Sequence, residues 1–299
     1  MEHIHLPKKE DRLIYFGSTN PLMNKTKPTD KEQMVDLQSE KKDFFFHIDH
    51  VGICNVSHPI TIESSMKPHV QTTIGTFTLT TSLNRDEKGI NMSRLTELLH
   101  EYYEKNWRVT LRSLQAFSKD MAERMKQRKS TVSIRYPWYY EKAAPETAHK
   151  GMMHANVLTT MTYEHEKGWK ASVGIDCTVT TLCPCSKEIS EYSAHNQRGI
   201  VSIIADLQHD AEWPENFKEQ LLHIAESNAS SQMYSVLKRP DEKYVTERAY
   251  ENPRFVEDLI RLIAADLYEQ PWVKCFHITC RNEESIHLHD AYAQMSFRK

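Results

Sequence analysis

The densest group of reactive side chains in this sequence lies between residues 183 and 198. Cys183 and Cys185 flank a proline, Ser186 follows directly, and His195 comes a short distance later. Two cysteines this close cannot form a disulfide of ordinary geometry without strain. Thiolate sulfur and imidazole nitrogen are ligands for transition metals, and a thiolate is also a nucleophile. The stretch therefore predicts a metal ligand beside a reactive thiolate.

The number of candidate ligands separates two kinds of metal site. A structural zinc site usually has four protein ligands in paired spacing, and the sequence offers no second closely spaced pair of cysteines. One sulfur, His195 and a carboxylate would instead give three ligands and an open position, which is typical of catalytic sites. His195 could also act as a general acid or base. Two buried thiols in a turn are the plain structural alternative.

Two further polar stretches could contribute to a site. Residues 281–285 separate two apolar strands, and His287 and His289 follow them in the predicted last strand. Residues 238–243 lie between two predicted helices and offer Glu242 as an oxygen ligand beside cations suited to phosphate. A solvated turn and a solvated interhelix loop are the alternatives. Glu257 lies next to an apolar stripe, where a half-buried carboxylate could hold a proton.

Composition limits the class of protein. The chain has 299 residues, which suits two domains or a repeated module. A net charge of −3 and the absence of a long apolar run argue against a nucleic-acid or membrane partner. Six irregularly spaced cysteines argue against a disulfide framework, and the N-terminus lacks a signal peptide's apolar core. We therefore expect a cytoplasmic protein. Glycine is too scarce for a phosphate-binding loop or a dinucleotide fingerprint.

The hydrophobic periodicity predicts an α+β fold in which a β-β-α-α-β-β order occurs twice. Residues 1–40 are predicted as an extended arm, 41–166 as a first module, and 167–299 as a second module that carries most of the site. The free edges of the sheets need cover, which closure into a barrel with other copies would supply. A two-domain monomer is the alternative. Strands are predicted at 43–55, 72–83, 131–139, 151–165, 169–182, 199–208, 273–280 and 286–297, and helices at 91–105, 109–127, 214–237 and from Asn252-Pro253 onward.

The motifs together resemble one family, the prokaryotic type IB GTP cyclohydrolases. The resemblance covers about residues 10–299 and is carried by 181–190 with 194–198, by 238–243 with 245–253, by 281–287, and by 86–94. It implies the tunnelling fold, with two modules in each chain and a homotetramer of barrels. It also implies that GTP and water give 7,8-dihydroneopterin triphosphate and formate, the first step of folate and 7-deazaguanine nucleoside synthesis. The family uses a divalent metal, for which Mn²⁺ or Zn²⁺ is expected here and Fe²⁺ is a further candidate.

The resemblance also implies roles for individual residues. Cys183, His195 and Glu242 would bind the metal, and Cys183 and His195 would thereby belong to the catalytic group. Cys185 would be the catalytic thiol, although the two cysteines could exchange roles, and Glu257 would transfer protons. The substrate-binding residues would be Glu284 and His287, for the guanine edge or ribose, and Lys238, Arg239 and Arg248, for the triphosphate.

Two other functions remain open from the sequence. Another tunnelling-fold enzyme of purine or pterin chemistry, such as a nitrile reductase that uses NADPH, needs a cysteine nucleophile but no metal. A non-catalytic module that binds zinc or a nucleotide would use Cys183 and Cys185 as structural ligands. Such a module would unfold when the metal is removed, whereas a catalytic site would leave a folded, inactive protein.

Overall fold

The computed structural model describes residues 5–16, 29–34, 36–38 and 40–299. The arm predicted over 1–40 contains helix α1 (Lys9–Phe16) and a short 3₁₀ turn (Lys31–Gln33). The prediction of an extended arm was therefore wrong for these segments. The remainder of that prediction, at 1–4, 17–28, 35 and 39, lies outside the described residues.

Nine strands of the described chain form one sheet in the order β3-β1-β2-β4-β5-β6-β7-β8-β9. All neighbouring strands are antiparallel except the short β3, which is parallel to β1. The sheet continues without a break through the β5–β6 pair, where the two halves of the chain meet. The strands are β1 (Ile48–Glu63), β2 (Val70–Leu83), β3 (Arg108–Val109), β4 (Lys129–Ala143), β5 (Lys150–Glu164), β6 (Gly168–Leu182), β7 (Asn196–Leu207), β8 (Val273–Asn282) and β9 (Ala291–Arg298).

Helices connect β2 to β4 in the first half and β7 to β8 in the second, and a further short helix lies between β6 and β7. They are α2 (Ser93–Glu104) and α3 (Leu111–Met125) in the first half, and α4 (Pro184–Ile189), α5 (Phe217–Ser227), α6 (Arg239–Glu251) and α7 (Val256–Glu269) in the second. Setting aside α4, α6 and the two-residue β3, each half has the predicted β-β-α-α-β-β order. The α+β fold class is therefore confirmed, whereas the module boundary at 166/167 stays a prediction. Within the described residues, every helix is too short or too polar to cross a bilayer.

The core lies between one face of the sheet and the helices. Strand β4 shows the alternation that builds it, because its buried side chains occur at every second position and are mostly large: Val132, Ile134, Tyr136, Trp138 and Tyr140. Helix α3 covers β4 and β5 with a buried stripe that includes Leu114, Phe117 and Met121. Burying an apolar side chain of this size contributes about 1.5–3 kcal/mol, so the stripe and the alternating strand together hold the layers in place.

The second half differs from prediction between residues 214 and 255. The helix predicted over 214–237 ends at Ser227, because the chain then turns back to β6, where the backbone N–H of Thr180 donates to Ser231 at 3.0 Å. The polar segment predicted as an interhelix loop forms α6. Its proline, Pro240, lies in the first turn, where a missing N–H costs nothing. Asn252 ends α6 rather than beginning the next helix, which begins at Val256.

The last strand also begins later than predicted. It runs from Ala291 rather than from Ile286, so that His287 and His289 lie in the β8–β9 loop. Both Ile286 and Leu288 are exposed there, so their alternation with histidines does not reflect a buried strand face.

Candidate functional site

The register of three strands brings the predicted motifs to one edge of the sheet. Leu182, the last residue of β6, is paired with Asn196, the first residue of β7. Near the same end of β7, Gly199 is paired with Asn282, the last residue of β8. The thiol segment, His195 and the β8–β9 loop must therefore lie side by side.

Cys183 is fixed at the N-terminus of α4. Its Sγ accepts the backbone N–H of Ser186 at 3.4 Å, and its own N–H donates to the carbonyl oxygen of His195 at 3.1 Å. Pro184 follows at the first helical position, for which its fixed φ is suited. Cys183 therefore precedes the helix as its N-cap residue, and the two cysteines do not share one stretch of extended backbone. Cys185 lies in the helix and is exposed, whereas Cys183 is half-buried.

His195 is held by partners on both its backbone and its ring. Its N–H donates to the hydroxyl oxygen of Ser186 at 3.1 Å. The ring nitrogen Nδ1 lies 3.0 Å from Oε1 of Gln197 and 3.8 Å from Oε2 of Glu284. The side chains of His195 and Glu284 are only 14% and 13% exposed. The structure thus brings together three of the predicted site residues: Cys183, His195 and Glu284.

The three predicted metal ligands, Cys183, His195 and Glu242, do not come together within one chain. Among the described residues, no three His, Cys, Asp or Glu side chains converge on a point that could hold a metal. Glu242 is exposed in the first turn of α6. Cys183 and His195 nevertheless fit a divalent transition metal, because a sulfur and an imidazole are presented from two adjoining backbone segments. The engagement of Nδ1 also leaves Nε2 of His195 without a hydrogen bond within the described chain.

Glu257 does not have the environment that the sequence predicted. It lies in the first turn of α7 and is exposed, because Val256, Leu259 and Ile260 form the buried stripe of that turn. The expectation of a half-buried carboxylate was therefore wrong, and its part in proton transfer stays a prediction.

The predicted triphosphate ligands are distributed along α6 and are all exposed. Lys238 is the N-cap residue and Arg239 the first helical residue, whereas Arg248 lies in the last turn. At 1.5 Å per residue, Arg239 and Arg248 are about 14 Å apart along the helix axis. His287 is also exposed and its ring stacks on that of His289, with centroids 4.9 Å apart.

Helix α6 is anchored at both ends. At its C-terminus the ammonium of Lys187 donates to the carbonyl oxygen of Tyr250 at 2.6 Å, which ties α6 to α4. At its N-terminus the fully buried Asp241 accepts four hydrogen bonds, from the N–H groups of Lys238 (2.8 Å), Glu146 (2.9 Å) and Thr147 (2.9 Å) and from the Thr147 hydroxyl (2.6 Å). Three of these four donor groups belong to the β4–β5 turn, so the first half of the chain positions the helix that carries Glu242.

Asp241 is a positioning residue that the sequence reasoning missed. Burial alone would raise the pKa of its carboxyl, but the hydrogen bonds from Thr147, Lys238 and Glu146 outweigh burial and hold the pKa well below its usual range. A signal was available, because an acid three residues after a helix N-cap is typical of a capping box. The polarity of residues 238–243 instead favours a loop between two helices, in which no N-cap would be expected.

Gln197 and Asn282 were also missed. Gln197 is buried on β7, and its Nε2 donates to the hydroxyl oxygen of Thr181 at 3.1 Å. Asn282 is buried at the end of β8, and its Oδ1 has no hydrogen-bond partner among the described residues. A Cβ at Gly199 would approach that oxygen to 3.0 Å, which favours glycine there. A polar residue at a core position of a strand was the available signal.

Solved structures show which fold this is. The chain is similar to uricase from Arthrobacter globiformis, with a TM-score of 0.56 and 7% identity over 84% of this chain and 93% of that one. A hyper-thermostable AgUricase mutant gives a TM-score of 0.52, with 84% and 92% of the two chains covered. At this identity the likeness concerns the fold alone. The architecture is the tunnelling fold, an α+β class with antiparallel strands and paired helices.

Sequence comparisons then identify the family. The protein-family model described as "Type I GTP cyclohydrolase folE2" matches residues 34–293. GTP cyclohydrolase FolE2 of Bacillus licheniformis is 59% identical over 99% of this chain and 98% of its own length. The proteins of the same name from Bacillus subtilis and Staphylococcus carnosus are 58% and 47% identical, over 100% of this chain in each case. The chain belongs to the type I GTP cyclohydrolase folE2 family.

Proposed function

We propose that the protein is a GTP cyclohydrolase that converts GTP and water into 7,8-dihydroneopterin triphosphate and formate, as the entry reaction of folate synthesis. The observation that carries the proposal is the convergence of Cys183, His195 and Glu284, from separate motifs, at one edge of the sheet. The proposal extends to supply of the same product for 7-deazaguanine nucleosides. It places the enzyme in the cytoplasm with neither a nucleic-acid nor a membrane partner.

Cys183 and His195 would hold a divalent metal, Mn²⁺ or Zn²⁺ with Fe²⁺ as a further candidate, and Glu242 would complete the ligand set. When bound, such a metal supplies Lewis-acid chemistry at the purine. The assignment of Cys183 and His195 as neighbouring ligands is supported by the hydrogen bond between the Cys183 N–H and the His195 carbonyl oxygen. Glu242 would have to approach them, either by a shift of α6 or from another copy of the chain.

The remaining groups would move protons and bind substrate. Cys185, exposed beside Cys183, is accessible to a substrate as the catalytic thiol. Glu257 would assist proton transfer after substrate binding has covered it. Each positioned acid or base contributes about 10²–10⁴-fold to such a step.

Substrate recognition follows from charge and position. Glu284 would accept hydrogen bonds from N–H groups at the guanine edge, and His287 would contact guanine or ribose from the same loop. Lys238, Arg239 and Arg248 are exposed cations on α6 that would meet the triphosphate. Their spread along the helix favours a site completed by a second copy of the chain.

A homotetramer of barrels would supply that copy. Strands β3 and β9 are the free edges of the sheet in the described chain, and edges of this kind are usually covered. In the β8–β9 region, Ile286, Leu288 and Tyr292 are also 63%, 109% and 58% exposed. Apolar side chains this exposed are suited to an interface between copies.

The proposal is tested by the fluorescence of neopterin formed from GTP. Metal-stripped protein is assayed with and without Mn²⁺, Zn²⁺ or Fe²⁺, formate is quantified in parallel, and circular dichroism monitors the fold. We expect pterin and formate in equal amounts only when metal is added, from a protein that stays folded without metal. A folded protein that makes no pterin with any of the three metals would refute the proposal. Unfolding on metal removal would indicate a structural zinc site instead.

A further inference from the structure

Gln197 lies between a buried hydroxyl and the imidazole of His195. We propose that Gln197 is a positioning residue that keeps neutral His195 in the tautomer with the proton on Nδ1, so that Nε2 retains the lone pair a metal requires. The inference deepens the proposed function and depends on it for its catalytic meaning. The tautomer itself is a property of the metal-free protein.

The Gln197 amide has one polar contact at each end. Its Nε2 donates to Oγ1 of Thr181 at 3.1 Å, and its Oε1 lies 3.0 Å from Nδ1 of His195. Thr181 is fully buried, and Gln197 is 8% exposed. A primary amide has one donating and one accepting end. With the donating end used by Thr181, the end that faces His195 accepts, and Nδ1 must supply the proton.

Glu284 decides between the two possible orientations of the amide. The Thr181 hydroxyl can donate or accept, so by itself it would be compatible with a reversed amide. The carboxylate of Glu284, however, can only accept, and its Oε2 lies 3.8 Å from the same Nδ1. A proton on Nδ1 is favourable toward both neighbours, whereas a lone pair there would face the carboxylate charge.

Strand register places these groups. Thr181 of β6 and Gln197 of β7 are directly paired across the two antiparallel strands. His195 precedes Gln197 by two positions, and residues two apart on extended chain project to the same side. In the relay from Thr181 through Gln197 to His195, the first two residues therefore lie in the sheet, and His195 directly precedes β7.

The relay matters for metal binding because an imidazole can ligate only through a nitrogen that carries a lone pair. The group bonded to the other ring nitrogen fixes both the tautomer and the ring orientation. Loss of such a partner typically weakens metal affinity by about 10–100-fold. Gln197 would supply this partner even while Glu284 is engaged with substrate.

The test compares three variants with the wild type. Gln197→Met keeps the side-chain length but removes the acceptor, and Gln197→Glu keeps an acceptor. Gln220→Met is the matched control, since both ends of the Gln220 amide are bonded, to Asn216 and Trp272, at the opposite end of β8. Long-range ¹H–¹⁵N spectra of metal-free protein identify the protonated ring nitrogen, with the His195 signals assigned by their loss in His195→Ala. Zn²⁺ affinity is measured by competition with a chromophoric chelator.

We expect an Nδ1 proton in the wild type and in Gln197→Glu, and a mixture of tautomers in Gln197→Met. The affinity for Zn²⁺ should fall about 10–100-fold in Gln197→Met and stay near the wild-type value in the other two variants. An Nε2 proton in the wild type, or unchanged affinity and tautomer in Gln197→Met, would overturn the inference. If Gln197→Met fails to fold, an Nε2 proton in the wild type or in Gln197→Glu still overturns the inference. Failure of the proposed function would show separately, as absence of pterin from metal-loaded wild type.

Discussion

The two halves of the chain share one element order but differ in their connections. The β1–β2 connection spans only residues 64–69, whereas the corresponding β6–β7 connection spans 183–195 and contains both thiols, α4 and His195. The α2–α3 connection spans 105–110, whereas 228–255 separate α5 from α7 and contain α6. The shared framework supplies the layers, and the candidate chemistry is concentrated in the enlarged connections of one half.

The halves are nevertheless not independent, and the smaller connections of the first half contribute support. The β4–β5 turn donates three hydrogen bonds to Asp241 and so holds the N-terminus of α6. Lys142 of β4 forms a buried ion pair with Glu226 of α5 at 2.6 Å. The candidate chemistry therefore belongs to one half, whereas its positioning depends on both.

The largest expected effect is a difference in turnover between loss of an exposed thiol in the second half and loss of one in the first half. Cys185→Ala should lower turnover by at least about 10²-fold, because it removes the thiol proposed to be catalytic, and should leave the fold unchanged. Cys54→Ala is the matched control, since Cys54 is an exposed thiol on β1 of the first half. Neopterin formation and thermal unfolding are measured for both. Turnover of Cys185→Ala near the wild-type rate would contradict the assignment.

The next effect tests the buried ion pair between the halves. Burial lowers the pKa of Lys142 and raises that of Glu226, and each charge partly offsets the cost of the other. Lys142→Met should destabilise the protein by about 3–5 kcal/mol, because it leaves a buried carboxylate without its partner. The double variant Lys142→Met/Glu226→Leu should recover much of that loss. Denaturant unfolding measures both, and a double variant less stable than the single one would refute the explanation.

A smaller effect, and one that depends on pH, is expected at Asp241. Its pKa is lowered in the folded protein, so the carboxylate stabilises the fold fully above its unfolded pKa of about 4. This stabilisation is lost as the pH falls below that value. Asp241→Asn should therefore unfold at a lower temperature than the wild type at pH 7, and the difference should shrink below about pH 4. A difference that is constant from pH 7 to pH 3 would contradict this account.

The smallest effect concerns exposed cations. Lys238→Ala should raise the KM for GTP by up to about fivefold with little change in kcat, since exposed charge pairs contribute up to about 1 kcal/mol. Lys119→Ala, an exposed lysine on α3 of the first half, should leave KM unchanged. Added salt should reduce the difference between Lys238→Ala and the wild type. Equal KM values for the two variants would contradict the assignment of Lys238, at the start of α6, to the substrate site.

The predictable parts of the fold are those whose periodicity reflects burial. Helices α2 and α3 and strands β4 to β7 lie within a few residues of their predicted bounds, because their apolar positions repeat as buried positions. Helix α6 was missed because its buried positions are only Asp241 and Ala249, so no apolar stripe marks it. Its stability comes from contacts at its two ends, which involve residues distant in sequence.

The site was predictable to a similar degree. Cys183, His195 and Glu284 were predicted and lie together, because strand register alone brings their motifs to one edge. Glu242 and Glu257 were predicted as well, but both are exposed, and their assembly with Cys183 would need a change that local sequence does not encode. Gln197 is recognisable only once its cross-strand neighbour Thr181 is known.

The tight connection between β5 and β6 has a consequence for how the protein could be divided. Residues 165–167 join two long antiparallel strands whose pairing runs from Glu164 and Gly168 to Asn156 and Asp176. Cutting the chain there would turn an intramolecular hairpin into an encounter between two fragments, at their actual concentration rather than a high effective one. Each fragment would expose a long unpaired strand, so recovery of activity on mixing should depend on concentration and compete with aggregation. That short turn therefore keeps the two similar halves together as one folding unit.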